Sequence, residues 1–336
     1  MTEPDSIIET CLSSPEEELG ILFERAYRLS RERFSDVIAF HMPGMRHYET
    51  EFYSGTDPYR FPSISVSGSR CALDCEHCKG HLLESMIPAR TPEQLWDACV
   101  EVSRRGGKGV LVSGGSTPQG NTPLARYLPV IKRVKEELDL DIVVHTGVVY
   151  PEVARGLGEA RVDGAMLDVI GDRDTLRSVY HLDMEPDAFD RSMTLLEDNG
   201  VPIVPHIVVG LHYGKIRGEK NAIKMIARHR SESVVVVAFM PLDDTPMQSV
   251  TPSSPMDIAR VLLACRLVMP ERAVVLGCAR PQGGHREATD RLAIDAGVSG
   301  IAYPTEDAHQ YALQRGLRVM LSDECCSLLG KAIEIQ

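Results

Sequence analysis

The sequence has no long hydrophobic run. Its longest, residues 234–241, falls far short of the ~18 apolar residues a membrane span needs. The start, MTEPDSIIET, has neither a basic stretch nor an extended apolar core, so no secretory leader is expected. Long lysine- or arginine-rich runs are missing as well. Basic residues number 36 against 48 acidic ones, a formal charge of −12. That balance disfavours nucleic acid as a partner. Arg25, Arg28, Arg31 and Arg33 alternate with Glu24 and Glu32, which reads as a solvated helix face. There is no low-complexity tract and no internal repeat beyond a strand–helix unit. The expectation is a cytoplasmic protein without membrane or nucleic-acid partners, and 336 residues suffice for one large core.

Cysteine, by contrast, is present nine times. An odd count in a reducing compartment argues for metal binding or catalysis over a disulfide framework. Along the chain, Ser14-Pro15-Glu16-Glu17 predicts a capped helix start, followed by an apolar stripe at Leu19, Leu22, Phe23 and Ala26. From residue 63, short β-branched runs alternate with helical patterns. The runs fall at 63–67, 109–113, 141–145, 164–170, 202–210, 233–240, 273–279 and 298–303. Thr91-Pro92 and Ser254-Pro255 repeat the cap-then-proline helix start. Continuous apolar strands joined by helices predict a parallel sheet buried on both faces. The α/β fold expected is a (β/α)8 TIM-type barrel over 61–310. An N-terminal helical extension (1–60) precedes it, and a C-terminal tail (311–336) lies over its mouth. A doubly wound open sheet is the alternative. In a barrel the loops GSRCALDCEHC, SGGSTPQGN, GDRD, GLHYG and ARPQGG, with residues 241–246, gather on one face.

The first of these loops places Cys71, Cys75 and Cys78 at C-x3-C-x2-C. One short loop can turn three sulfurs toward one centre and hold an iron–sulfur cluster or a soft metal. Zinc would take a fourth ligand, for which His77 and His81 are at hand. Cys99 and Cys265 lie in apolar helical patterns and read as small core residues, while Cys11 has no clear context. His145, His181, His206, His212 and His285 read first as structural hydrogen-bonding residues. The glycine-rich loops could also hold phosphate at helix N-termini, a reading that leaves the cysteines unexplained.

The cysteine spacing, directly after the first strand of a predicted βα barrel, resembles the radical S-adenosylmethionine (SAM) superfamily. The resemblance implies that Cys71, Cys75 and Cys78 hold a [4Fe–4S] cluster with one iron left open for SAM. The cofactors then supply a 5′-deoxyadenosyl radical, and the protein orients them. Ser113-Gly114-Gly115-Ser116 is similar to the family's Gly-Gly-Glu stretch, with Ser116 in place of Glu. Asp168 and Gly210 fall where relatives meet SAM. The stretch Pro241-Leu242-Asp243-Asp244-Thr245-Pro246-Met247 resembles a proline-bounded segment of biotin-synthase-like enzymes, with Asp244 replacing a glycine.

Cys278 lies near the C-terminal end of the seventh predicted strand, and Cys325-Cys326 lie in the tail. Folding the tail back would bring them together as ligands of a second, auxiliary [4Fe–4S] cluster. Biotin synthase itself uses strand cysteines and an arginine, and only Arg280 stands near such a position here. The segments FPSISVSGSRCALDCEHCKGHLLESMIPA, VLVSGGSTPQGNTPL, VPHIVVGLHYG, LGCARPQGG and DECCSLL resemble instead a subunit of archaeal-type two-component lipoyl synthase. That resemblance implies a homologous second subunit, an octanoylated lipoyl-carrier protein and sulfur insertion into the octanoyl chain. Other biotin-synthase-like chemistry (a mutase, or maturation of a metal cofactor) and a noncatalytic iron–sulfur or zinc module are the alternatives.

Overall fold

The computed structural model of the chain describes residues 3–54 and 57–329. Its frame is one parallel sheet of eleven strands. These are β1 (Val37–His41), β2 (Ser63–Ser65), β3 (Ile87–Pro88), β4 (Gly109–Ser113), β5 (Asp141–His145), β6 (Gly164–Asp168), β7 (Ile203–Val209), β8 (Ser233–Ala238), β9 (Ala273–Leu276), β10 (Gly300–Ala302) and β11 (Arg318–Ser322). The spatial order is β11-β1-β10-β9-β8-β7-β6-β5-β4-β2-β3. The eight expected strands are all present and run in sequence, with no reversal of order, so the doubly wound alternative is excluded.

Three strands go beyond the expected eight. β1 comes from the expected helical extension and enters between β10 and β11. β11 comes from the expected tail, and β3 is a two-residue edge. The sheet is therefore a curled, incompletely closed barrel. Its two ends face each other across a seam, where Arg60, before β2, pairs with Asp323, after β11.

Helices α1 (Glu3–Ser13), α2 (Gly20–Phe34), α3 (Pro92–Arg104), α4 (Leu128–Glu137), α5 (Pro151–Ala160), α6 (Arg173–Ser178), α7 (Asp187–Asp198), α8 (Glu219–Ala227), α9 (Pro255–Val268), α10 (Gly284–Asp295) and α11 (Glu306–Gln314) cover the outside. Thr91 caps α3 through the Gln94 N–H, and Ser254 forms a capping box with Asp257 on α9. The predicted start at Ser14 does not form. Residues Glu16–Glu18 make one 3-10 turn without a side-chain cap, and the Ser14 N–H instead bonds back to Thr10 in α1. Cys11, Cys99 and Cys265 are buried in the apolar layer between sheet and helices.

The tail holds the second departure. It enters the barrel interior instead of lying across the mouth. Cys325, Cys326, Leu328 and Leu329 join an inner apolar cluster with Leu111, Val143, Met166, Val204, Val235 and Val275. The turn Cys326–Leu328 packs against β6 and β10, and the Ser327 hydroxyl meets the Met166 sulfur at 2.8 Å. Residues 330–336 of the tail lie outside the described residues.

Arg280 is wholly buried. It pairs with Asp290 at 2.8 Å and donates to the carbonyls of Gly277 and Ala302. This ties the loop after β9 to β10 and α10. Removing one partner of such a pair strands a buried charge, at about 3–5 kcal/mol. Asp290→Asn is expected to lower unfolding free energy by about that much in urea titration of the full chain. A loss below about 1 kcal/mol would show that the pair is dispensable.

Candidate functional site

The loop after β2 is a tight coil. Asp74, Lys79 and Gly80 take positive φ (49°, 46° and 82°), and the Cys75 carbonyl accepts from the N–H groups of Cys78 (3.2 Å) and Lys79 (3.0 Å). Neighbouring loops hold it. The Ala72 N–H donates to the Ser116 carbonyl at 2.9 Å, and the Glu76 N–H to the Val179 carbonyl at 2.9 Å. His181 spans Leu73 O (2.9 Å) and the Glu76 carboxylate (3.0 Å). The sequence reading of His181 as a structural residue thus has its physical basis.

Ser113, Gly114 and Gly115 sit directly behind this coil. The Gly115 N–H donates to Ser67 Oγ at 2.7 Å. A Cβ at Gly115 would lie 2.1 Å from the Arg70 carbonyl oxygen and 2.6 Å from Cys71 Cα. Only glycine lets the two loops approach this closely.

Cys75, His77 and Cys78 have ligand atoms all within 4.8 Å of one another, and no other such trio occurs among the described residues. His77, not Cys71, completes this tight group, whereas His81 turns away to Glu84 at 2.9 Å. The Cys78 thiol is pushed down to about 4 by a hydrogen bond from Cys75, with burial opposing and His77 assisting; Cys75 is pushed up. Cys78 therefore ionises first.

Beyond the coil lies a central cavity of about 240 Å³. Val235, Val237, Phe239, Met240 and Leu242 give it one apolar wall. His145, Asp168, Tyr180 and His206 form an adjoining, polar wall, His206 being the register neighbour of Val235. Asp168 and His206 are register partners on β6 and β7, and His145 Nε2 lies 3.7 Å from Asp168. Tyr180 hydrogen-bonds Asp168, and burial and then that carboxylate hold its hydroxyl well above the ordinary range. His145, Asp168 and Tyr180 also border a second cavity of about 80 Å³, lined by Leu73, Gly114 and Ser116. A polar wall is thus shared between the cysteine loop side and the central chamber.

Asp244, in the loop after β8, takes φ +58°, a left-handed conformation that glycine usually supplies. Gly210 has φ +73°, and its N–H donates to the buried Glu219 carboxylate at 2.7 Å. A Cβ there would meet Ser253 Oγ at 2.2 Å. Packing alone accounts for this glycine, and Leu211, not Gly210, lines the central cavity. Glu219 also accepts from the Arg217 N–H at 2.7 Å and so fixes both ends of the loop.

Cys278, Cys325 and Cys326 line the central cavity together. Cys278 exposes its surface to the chamber, and the tail pair is buried at its floor. A hydrogen bond from Cys326 pulls Cys325 down to about 7 against the cost of burial, so Cys325 ionises first. Arg280 does not face this set. Arg46 does: its guanidinium lies 3.9 Å over the Tyr303 ring, and while burial pushes the Cys278 thiol up, Arg46 partly offsets this. Sequence reading missed Arg46, Met45 and Tyr180, because each stands on irregular backbone that carries no motif; Met45 and Tyr180 line the chamber, and Arg46 adjoins it.

The coil fits an iron–sulfur cluster. It offers three thiols, a buried His77 Nδ1 without a partner, and a glycine cradle that a Cβ would fill. Residues 65–217, which carry all three, match the family model of the Radical SAM superfamily. Over 254 residues the chain is 24% identical to biotin synthase of Halorhodospira halophila, covering 71% of this chain and 73% of that protein. It is 28% identical to biotin synthase of Zymomonas mobilis over 180 residues, 52% of each chain. In fold it is similar to the crystal structure of methylornithine synthase. The TM-score is 0.65 at 15% identity, covering 98% of this chain and 96% of that one. The hydrogenase maturase of Carboxydothermus hydrogenoformans gives a TM-score of 0.64 at 14% identity, covering 95% and 76%.

Residues 65–217 thus form a radical SAM domain. Relatives over 71% of the chain are biotin synthases, at 24% identity. Such a domain implies a [4Fe–4S] cluster and SAM, which when bound supply hydrogen-abstracting radical chemistry. The cysteine coil, backed by Gly115, is the part of this chain that would hold the cluster. Among the described residues no helix is long and apolar enough to cross a membrane.

Gly115→Ala is expected to keep helix and sheet content by circular dichroism but to bind less than half the iron of the parent after anaerobic reconstitution. Full iron loading would refute the cradle. A pH effect follows from two buried histidines. Burial pushes His41 and His206 down to about 4, so both are neutral in the folded chain near pH 7. Unfolded histidine titrates near 6.5, so the unfolded state takes up more protons between these values. Stability is full above about pH 6.5 and falls as pH drops toward 4, by about 3 kcal/mol for each histidine at the limit. Urea titrations at pH 7.5 and 5 check this, and His206→Gln should flatten the slope.

Proposed function

We propose that this enzyme inserts sulfur into an octanoyl group carried on a protein lysine, as one subunit of a two-component lipoyl synthase. One observation carries the reading. The tail places Cys325 and Cys326 inside the barrel, in the same chamber as Cys278 and below the cysteine loop. A chamber with radical chemistry at one end, thiols at the other and an apolar wall between suits an aliphatic chain that receives sulfur. Cys278, Cys325 and Cys326 would hold the auxiliary [4Fe–4S] cluster as sulfur source. The biotin synthase relatives support sulfur chemistry of this kind. Ser113, Gly114, Gly115 and Asp168 would form the SAM side, with Leu211 beside Gly210 at its edge and Tyr180 setting the hydrogen bonding of Asp168. The partners are then a homologous second subunit and the octanoylated carrier, in the cytoplasm.

Reconstituted protein is expected to bind about eight irons per chain, two [4Fe–4S] clusters' worth. Given SAM, a low-potential reductant, the homologous subunit and an octanoyl-lysine peptide, it should yield sulfur-bearing peptide by mass spectrometry. Cys75→Ala should abolish SAM cleavage. Cys326→Ala should keep most of it and stop sulfur transfer. About four irons with intact SAM cleavage would favour a different biotin-synthase-like reaction, and zinc in place of iron a noncatalytic module.

A further inference from the structure

A second large cavity, about 370 Å³, opens at the seam where the curled sheet fails to close. It runs between the loop after β1 and the first residues of β2 and β3, and Met45, Arg46, His47, Tyr59, Ser63 and Ser85 are among its lining. Among the described residues no aspartate or glutamate lines it. His47 has a carboxylate nearby, Glu49 at 3.7 Å. Arg46 forms no ion pair among the described residues. Its guanidinium rests on the Tyr303 ring, partly desolvated, while the residue as a whole is exposed. Met45 borders both this cavity and the central chamber, so the Met45–Arg46 step is the partition between them. On the chamber side of that step stand Cys278, Cys325 and Cys326.

An unpaired cation at the boundary between a solvent-facing cavity and a thiol cluster attracts small anions. The other approach to these thiols passes His77 and Leu82 under the cysteine loop, through the chamber that SAM and substrate would fill. Sulfur given up from a protein site must be replaced, and a route independent of that chamber allows it. We propose that the seam cavity admits and holds a small sulfur anion of the hydrosulfide class, which Arg46 draws past Met45 toward Cys278, Cys325 and Cys326. This rests on the reading that those thiols hold a sulfur-donating cluster. The site itself, an anion-selective passage to Cys278, stands on the geometry alone.

The test uses the full chain purified without cluster, with reductant removed. Two methanethiosulfonates of equal length, one bearing sulfonate and one trimethylammonium, are applied, and modification of each cysteine is followed by mass spectrometry. Cys278 should react faster with the anionic reagent, by about fivefold or more at low salt. Arg46→Gln should erase that preference. Met45→Ala should speed both reagents, and Met45→Trp should slow both. Cys71, Cys75 and Cys78 should be unchanged in every variant and so report an intact fold. Equal rates for the two reagents in the parent chain, or a preference that survives Arg46→Gln, would overturn the proposal. Failure of the sulfur-donor reading is a separate result: about four irons per chain on reconstitution, with the charge preference intact.

Discussion

A parallel sheet that curls on itself has an inside, and that inside must be filled. Packing density in protein interiors leaves little tolerance for empty apolar space. Here the volume is divided. Mid-strand residues such as Val143, Val204 and Val275, together with the tail residues Leu328 and Leu329, make a dry lower core. The remaining volume is the chamber. The tail's entry into the barrel is thus a packing solution first, and it is what delivers Cys325 and Cys326 to the chamber floor.

The seam is the counterpart of the same constraint. Eleven strands do not close, so the edges β3 and β11 stay unpaired with each other. Edge strands are blunted by shortness or proline, and β3 has both. Arg60 and Asp323 tie the ends at one point, and the cavity lined by Met45 and Arg46 occupies another. An irregular segment between β1 and β2 is therefore part of the chamber wall, although it belongs to no strand or helix.

Two loops set the upper end of the chamber. The cysteine coil is not self-supporting. It leans on the loop after β4 through Gly115 and on residues 179–181 through backbone and histidine bonds. The polar wall follows from register: Asp168 and His206 are neighbours because β6 and β7 pair in parallel at those residues. Tyr180 completes that wall from a loop. The same division appears at the sulfur level, where hydrogen bonding sets which thiol of each adjacent pair ionises first.

Residue order alone dictates the parallel βα succession, because strands buried on both faces must be continuously apolar. It also dictates the cysteine loop and its SGGS neighbour, since short-range spacing in one loop survives any long-range arrangement. Cys278, Cys325 and Cys326 were legible as a set only because adjacent cysteines are conspicuous; that the tail goes inside the barrel was not. Strands β1 and β11 were hidden, as short segments take strand form from the edge they add to and not from their own pattern. The burial of Arg280 was not legible either: it depends on Asp290 in α10 and on the Ala302 carbonyl of β10, contacts made only once the strands are paired. Folding in three dimensions was needed to bring Arg46 beside Cys278 and His77 into the thiol group. Such contacts depend on where irregular backbone is laid down, which no local periodicity encodes.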